Sequence, residues 1–402
     1  MADVAAVVAD TVRRERGPIL GRLARLFGNM DAAEEALQEA ALAALEAWRD
    51  GVPPNPGAWL MTAAKNAARD ARRHEAVVRA KAPLLAGDAV DAPADVDTVT
   101  DDYLRLVFAC SHPALALPNQ VALTLKVVCG FTTEEIARAF LATEATVSQR
   151  ILRAKQTLAM VGESFAIPER SELPERVGAV LSVIYALYNE GHVAQRGAWM
   201  RVDLQAEALR LARLVCDLVP HEPEAFGLLA LIAFGAARAK TRVDADGNAI
   251  LLAAQDRARW DKGLLREGLM ACARARSLGG RGSYVVQAAI AAVHVTAPTW
   301  EATDWATIVA LYDALDAAAP SPIVKLNRAI ALAMRDGPEA GLEALAPLGR
   351  ELASHHLFHA TRAELLERAG RDARPALERA LTLVTNDAER KLLEERLARV
   401  RA

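Results

Sequence analysis

Apolar residues recur along this chain at intervals of three and four, and sustained alternation is rare, so the pattern predicts helices almost throughout. From Thr11 to Phe27 the positions Ile19, Leu20, Leu23, Leu26 and Phe27 fall at helical spacing, and Gly28-Asn29 supplies a stop. Asp31 is a candidate N-cap for the run AAEEALQEAALAALEAW, whose acids crowd the first turn, where the positive end of the helix dipole favours them. Leu37, Ala41, Ala44 and Trp48 offer that helix an inward face. Gly51–Pro56 breaks the chain, and a further helix is expected over Trp59–His74. A second helical block spans about 101–161. Within it Thr132 and Glu135 form a capping box, and Ile136, Ala137 and Phe140 form an apolar face. A short break at Leu141-Ala142-Thr143 follows. The next helix is capped by Thr143 and has core positions Val147, Ile151, Ala154 and Leu158.

These blocks suggest segments at 4–80 and 101–161, joined by a linker at 81–100. Residues 82–100 are rich in Ala, Asp and Pro and contain no Lys or Arg. Pro168 and Pro174 mark another joint, and 173–402 reads as helical. The exception is Thr241–Leu252, where Asp246-Gly247 between β-formers predicts a small β-hairpin. Its DADG resembles part of a calcium loop but lacks the remaining ligands. Near the C-terminus, LNRAIALAMRDGPEAGLEAL echoes ATRAELLERAGRDARPALERAL: Arg328 and Arg362, and Ala329 and Ala363, stand 34 residues apart. That is the tetratricopeptide period, and small residues at that spacing let helix pairs stack closely. A generic helical bundle is the plainer alternative.

Composition supports an all-α fold, since Ala and Leu dominate and aromatics are only 5%. Four widely spaced cysteines without a CxxC pair read as reduced, mostly buried thiols of a cytoplasmic protein. The N-terminal stretch has acids where a secretion signal needs bases. The apolar runs at Val177–Leu187 and Ala225–Ala237 fall short of the ~18 residues of a membrane span and read as buried helices. The net charge of −3 is informative, because a protein that grips DNA unaided usually carries a basic excess.

Two stretches invite a nucleic-acid reading. In WLMTAAKNAARDARRHEA, Lys65, Arg69, Arg72 and Arg73 share one narrow helix face, opposite Leu60, Ala63, Ala64, Ala67 and Ala71. Taken alone, such a stripe fits a solvated face as well as a surface that meets phosphates. At 132–158, the helix, short turn and second helix form a candidate helix-turn-helix. Its outer face offers Thr146, Ser148, Gln149, Arg150, Arg153 and Lys155. Hydroxyls, amides and arginines near the helix start suit base edges, while Arg153 and Lys155 suit phosphates. An ordinary helical hairpin is the alternative.

Together, in this order, the motifs resemble the sigma factors of bacterial RNA polymerase, in the extracytoplasmic-function group. DAAEEALQEAALAALEAW resembles that group's second conserved region, and WLMTAAKNAARDARRHEA the W-L-x-x-A-x-N-x-x-x-D-x-x-R-R pattern that follows it. GFTTEEIARAFLATEATVSQRILRAKQTL resembles the fourth region. The match covers roughly residues 10–160, and the remainder resembles the long tetratricopeptide-like extension of one subgroup. The departure lies in the turn, where many relatives place glycine and this chain has Leu141-Ala142.

The resemblance implies a non-enzymatic transcription initiation factor whose partners are core RNA polymerase and promoter DNA, with no cofactor, metal or membrane. It implies that Asp31, Glu34, Glu35, Gln38 and Glu39 face a basic polymerase surface. Lys65, Asn66, Arg69, Asp70, Arg72 and Arg73 would serve the −10 element, where flipped bases are recognised and the strand is held by basic side chains. Thr146, Ser148, Gln149, Arg150, Arg153 and Lys155 would serve the −35 element. The size of the extension at 173–402, over half the chain, suggests a regulatory role, by intramolecular packing on the DNA-reading modules or by packing on polymerase. A conventional helix-turn-helix regulator with a sensor domain is the rival reading.

Enzymatic candidates are sparse. His355, His356 and His359 cluster without the acid of an HExxH arrangement. Asn189, Glu190 and His192 suit a helix end, and Cys110 with His112 suits a turn before Pro113. P-loop, dinucleotide and GxSxG fingerprints do not occur.

Overall fold

The helical spacing becomes helices, some of them packed closely across alanine or glycine. The computed structural model describes residues 4–27, 30–79, 106–140, 142–161, 173–192, 202–244 and 248–401. The chain divides into two compact units, Met1–Val183 and Ile184–Ala402.

In the first unit α1 (Val4–Phe27), α2 (Met30–Ala47) and α3 (Pro56–Arg79) pack pairwise. α1 starts earlier than its apolar spacing suggested, because Val8 and Thr11 extend the buried stripe that continues through Ile19, Leu20 and Leu23. α2 buries Ala33, Ala36, Leu37, Ala40 and Ala44, a row of small side chains that lets its neighbours approach. Asp31 lies inside the first turn of α2, not at its N-cap, and still meets the positive end of the dipole. α3 opens on Pro56 and buries Leu60, Ala64 and Ala68, whereas Ala71 is exposed. Trp48 is buried edge-on against Trp59, ring centroids 5.6 Å apart.

The same unit holds a helical turn at 106–110, then α4 (Leu117–Val127), α5 (Thr133–Ala139) and α6 (Glu144–Val161). Cys110 is buried, and burial pushes its thiol up, which disfavours the thiolate. His112 Nδ1 accepts from Ala114 N at 3.0 Å, so this histidine closes the turn. Gly130, at φ +74°, makes the turn into α5.

α7 (Leu173–His192) crosses the boundary between the units. The second unit continues with α8 (Val202–Leu218), α9 (Pro223–Ala237), α10 (Lys262–Ser277), α11 (Ser283–Thr296), α12 (Trp305–Ala318), α13 (Pro322–Asp336), α14 (Pro338–Leu345), α15 (His356–Arg368), α16 (Arg374–Leu383) and α17 (Asp387–Arg401). α9 is apolar around most of its circumference because α8, α10 and α11 all pack on it. A Cβ on Gly227 of α9 would stand 2.6 Å from the Val285 backbone nitrogen at the start of α11. Glu224 Oε2 and Oε1 accept from Tyr284 N and Val285 N at that same end.

The β-hairpin expected over 241–252 does not form. Residues 245–247 lie outside the described residues. On either side of them Val243 and Ala249 make one isolated antiparallel bridge, and no strand occurs among the described residues. The chain winds into 3-10 turns at Ala239–Thr241 and Leu252–Ala254, which removes the next pairing positions. Side chains hold those turns: Trp260 Nε1 donates to Thr241 Oγ1 and Gln255 Nε2 to the Ile250 carbonyl. Local β propensity is overridden by tertiary contacts. Both carboxylate oxygens of Asp244 accept from Asn248, through its backbone and its amide nitrogen.

From α13 onward helices pack chiefly on their neighbours in sequence. Ala329 and Ala363, 34 residues apart, are both fully buried, one in each of two adjoining cores. His356 Nε2 meets Glu389 Oε2 at 2.9 Å, and His359 Nε2 meets the Ala353 carbonyl at 2.9 Å. His294 stacks on Trp300 and meets Trp305 edge-on. Burial pushes its pKa down to about 4, and the nearby Arg238 and Arg257 add to the effect.

Two outcomes follow for the second unit. Gly227→Val forces α9 and α11 apart, and should cost about 1–3 kcal/mol in urea unfolding with the helical signal retained. His294 is neutral when folded but titrates near its ordinary value of 6.5 when unfolded. Its contribution is therefore full above about pH 6.5 and lost as pH falls toward 4, a loss on the order of 3 kcal/mol. His294→Gln should flatten that part of the stability profile.

Candidate nucleic-acid interface

The candidate residues lie on three helices of the first unit. On α2, the inward alanine row turns Glu35, Gln38 and Glu39 to the outside, where all three are exposed. Leu42, three residues past Glu39, lies on the same strip and is 65% exposed. The sequence reading missed it, although an apolar side chain at i+3 and i+4 from exposed Glu39 and Gln38 is a legible signal. On α3, Asn66, Arg69, Asp70 and Arg73 are exposed and Lys65 is half-buried. Arg73 and Asp70 lie 3.8 Å apart, a loose pair on an open surface. The side chain of Arg72 lies outside the described residues.

The helix-turn-helix geometry is built locally. Thr132 Oγ1 accepts from Glu135 N at 3.1 Å, and Glu135 Oε2 accepts from Thr132 N at 2.7 Å, which completes the capping box at the start of α5. Burial works against the Glu135 carboxylate, but the Thr132 hydrogen bonds and Arg13 outweigh it and hold its pKa below the usual range. Ala142 N donates to the Ala137 carbonyl at 3.0 Å and closes the end of α5 without a glycine. Thr143 Oγ1 then accepts from Thr146 N at 3.1 Å and starts α6. Val147 and Ala154 are fully buried, and Ile151 and Leu158 half-buried, which fixes the helix rotation. Ser148, Gln149 and Arg153 consequently point outward and Arg150 is half-buried. Thr146 Oγ1 pairs with Thr143 Oγ1 at 2.9 Å, so this hydroxyl takes part in the cap. Leu152 is exposed between Gln149 and Arg153.

Lys155 does not project with its neighbours. Its ammonium donates to Asp31 Oδ1 at 2.6 Å and to Glu34 Oε2 at 2.8 Å, both on α2. The structure thus brings together one residue expected at DNA and two expected at polymerase. Burial works to lower the Lys155 pKa, yet the two carboxylates outweigh it and raise the ammonium above its ordinary value.

Comparison with known proteins identifies the segments that carry these helices. Residues 11–77 match the family model for sigma-70 region 2, residues 108–158 that for sigma-70 region 4, and residues 176–276 a family of unknown function (DUF6596). An uncharacterized protein of Rhizobium meliloti (strain 1021), R00370, is 42% identical over 385 residues, which cover 93% of this chain and 91% of the relative. No solved structure matches. The chain belongs to the sigma-70 family, as a sigma factor of the extracytoplasmic-function type with a C-terminal extension. Such factors direct promoter-specific initiation in partnership with core RNA polymerase and promoter DNA, and they are not enzymes. Among the described residues no helix is long and apolar enough to cross a membrane.

Because one hydroxyl starts the outward-facing helix, Thr143→Ala should cost about 1 kcal/mol in urea unfolding. The amide of Thr146 should exchange faster in the variant, while amides in α2 keep their protection.

Proposed function

We propose that the promoter and polymerase contacts of this sigma factor divide among the three helices just described. The outer strip of α2 docks on polymerase, with Glu35, Gln38 and Glu39 providing charge complementarity and Leu42 an apolar contact at its centre. Asp31 and Glu34 extend the same acidic face toward the helix start. α3 takes the −10 element: Lys65, Arg69, Arg72 and Arg73 hold backbone phosphates, while Asn66 and Asp70 lie within reach of a base edge. α6 takes the −35 element. Ser148, Gln149 and Arg150 read base edges from its first turns, Thr146 does so beside the cap, Leu152 suits a thymine methyl, and Arg153 and Lys155 serve phosphates.

The observation that carries this reading is the fixed rotation of α6. Val147 and Ala154 are fully buried, so Ser148, Gln149 and Arg153 are held outward on a rigid element. The extension, which we read as a tetratricopeptide-like helical repeat over 173–402, regulates the activity of the two modules. Its size, over half the chain, supports that role.

Reconstituted transcription with core polymerase tests the assignments separately. Gln149→Ala should lower transcription from a −35-dependent promoter by about 10- to 100-fold and relax discrimination at one position, with polymerase affinity unchanged. Glu35→Lys with Glu39→Lys should weaken polymerase binding about tenfold or more at every promoter. A chain ending at residue 172 should differ from the full chain in activity or promoter occupancy, and equality in both would remove the regulatory role of the extension. The full chain without polymerase should retain duplex DNA only weakly, as its net charge of −3 leads one to expect.

A further inference from the structure

The second unit holds three basic side chains whose hydrogen bonding is incomplete. Arg238 follows the last residue of α9, Arg257 opens the 3-10 turn Arg257–Arg259, and His294 lies in the last turn of α11. Short contacts draw these segments together. Arg257 Nη1 donates to the His294 and Ala297 carbonyls at 2.7 and 2.8 Å. Its guanidinium lies over the Trp260 ring, 4.7 Å from the centre, and Trp260 Nε1 donates to Thr241 Oγ1 at 3.1 Å. Thr241 Oγ1 in turn donates to the Arg238 carbonyl at 2.9 Å.

Capping explains part of this arrangement. Arg257 Nη1 satisfies carbonyls at the negative end of α11, and Arg238 stands at the corresponding end of α9. Three nitrogens are left over. Arg238 Nε, Arg257 Nη2 and His294 Nδ1 are closed off from water and make no hydrogen bond among the described residues. Polar groups so placed cost stability unless a partner meets them. Charge adds to the cost. Burial pushes the Arg238 pKa down, Tyr188 opposes this and Arg257 adds to it, and no carboxylate among the described residues acts on Arg238. The acid that acts on Arg257 is Glu301, which is exposed. Arg242, 5% exposed, brings further positive charge, and burial together with Arg238 pushes its pKa down to about 10.

We propose that Arg238, Arg257 and His294 bind a tetrahedral oxyanion, either inorganic phosphate or the phosphate group of a small ester. Single nitrogens from three separate segments suit an anion with oxygens on several sides, whereas a planar carboxylate is better met by the fork of one arginine. The arginines supply charge, and neutral His294 donates from Nδ1 in the tautomer that carries its hydrogen there. The anion turns the repulsion between Arg238 and Arg257 into a shared attraction. It also ties the C-terminal ends of α9 and α11 to the turn that lies between them in sequence. The site gives the extension a ligand of its own and needs none of the polymerase or DNA contacts assigned above.

The test follows hydrogen exchange of the full chain by mass spectrometry, in phosphate and in chloride at equal ionic strength. Phosphate should slow exchange saturably in the peptides that contain Arg238, Arg257 and His294, a readout on the unaltered protein that depends on no variant folding. Methyl phosphate as a second probe separates the sources: protection at lower concentration than inorganic phosphate marks an ester as the ligand, and the reverse marks the free ion. Arg238→Met removes the charge and keeps most of the volume. It should raise the phosphate dissociation constant about tenfold or more. Its urea midpoint in chloride should be no lower than that of the unaltered chain, because an unpaired cation has been taken out of the interior. Absence of protection at the three segments overturns the site. So does protection that rises without saturation or equally in Arg238→Met, which is the general action of an excluded salt. A lower midpoint for Arg238→Met in chloride overturns it as well, since the cation then stabilises the fold without an anion.

Discussion

Several helix pairs in this protein approach across alanine or glycine, and that closeness fixes how the polar groups around them are turned. Ala33, Ala36, Ala40 and Ala44 on α2 and Ala64 and Ala68 on α3 are all buried. Gly227 brings the start of α11 against α9. Alanine also favours the helix intrinsically, so local preference and packing agree. Such seams bury little apolar area per residue, but they leave little freedom for a helix to turn about its axis. Rotation in turn decides which polar residues face outward. Glu35, Gln38 and Glu39 are on the surface of α2 because the alanines are not, and Ser148 and Gln149 are outward on α6 because Val147 and Ala154 are inward.

Charge is arranged locally within a nearly balanced whole. Arg69 and Arg73 of α3 are exposed, while Arg16 and Lys155 are held by carboxylates in a partly dry setting. A balanced charge suits a factor that acts only as part of a larger enzyme, because tight duplex binding alone would hold it on DNA without the machinery to use it.

Much of this was legible in the sequence. The Thr132–Glu135 capping box, the Thr143 cap and the core spacing of α6 are local patterns with local causes, and they stand where the spacing put them. The four cysteines are buried as their isolation suggested. Other features were closed to such reading. The segment at 241–252 carries β-formers around Asp-Gly, yet Trp260, nineteen residues past Thr241, reaches back to that threonine and helps hold the chain in a 3-10 turn. No periodicity reports a contact of that kind. Nor does it report that Lys155 lies 124 positions from Asp31 in the chain and 2.6 Å from it in space. Leu42 was overlooked for a different reason: it stands inside an alanine run that hides its phase, which sets it on the outside.

The sequential packing of the last helices has a mechanical side. From α13 to α17 each helix rests chiefly on the one before and the one after, and the cores around Ala329 and Ala363 are adjoining clusters that meet at Leu342. Cohesion in such a stack is a chain of nearest-neighbour terms with no central keystone. Tension applied at the C-terminal end is therefore borne first by α17 and α16, whose loss leaves the remaining pairs seated. The C-terminal helices can peel and reseat in steps, like the coils of a spring.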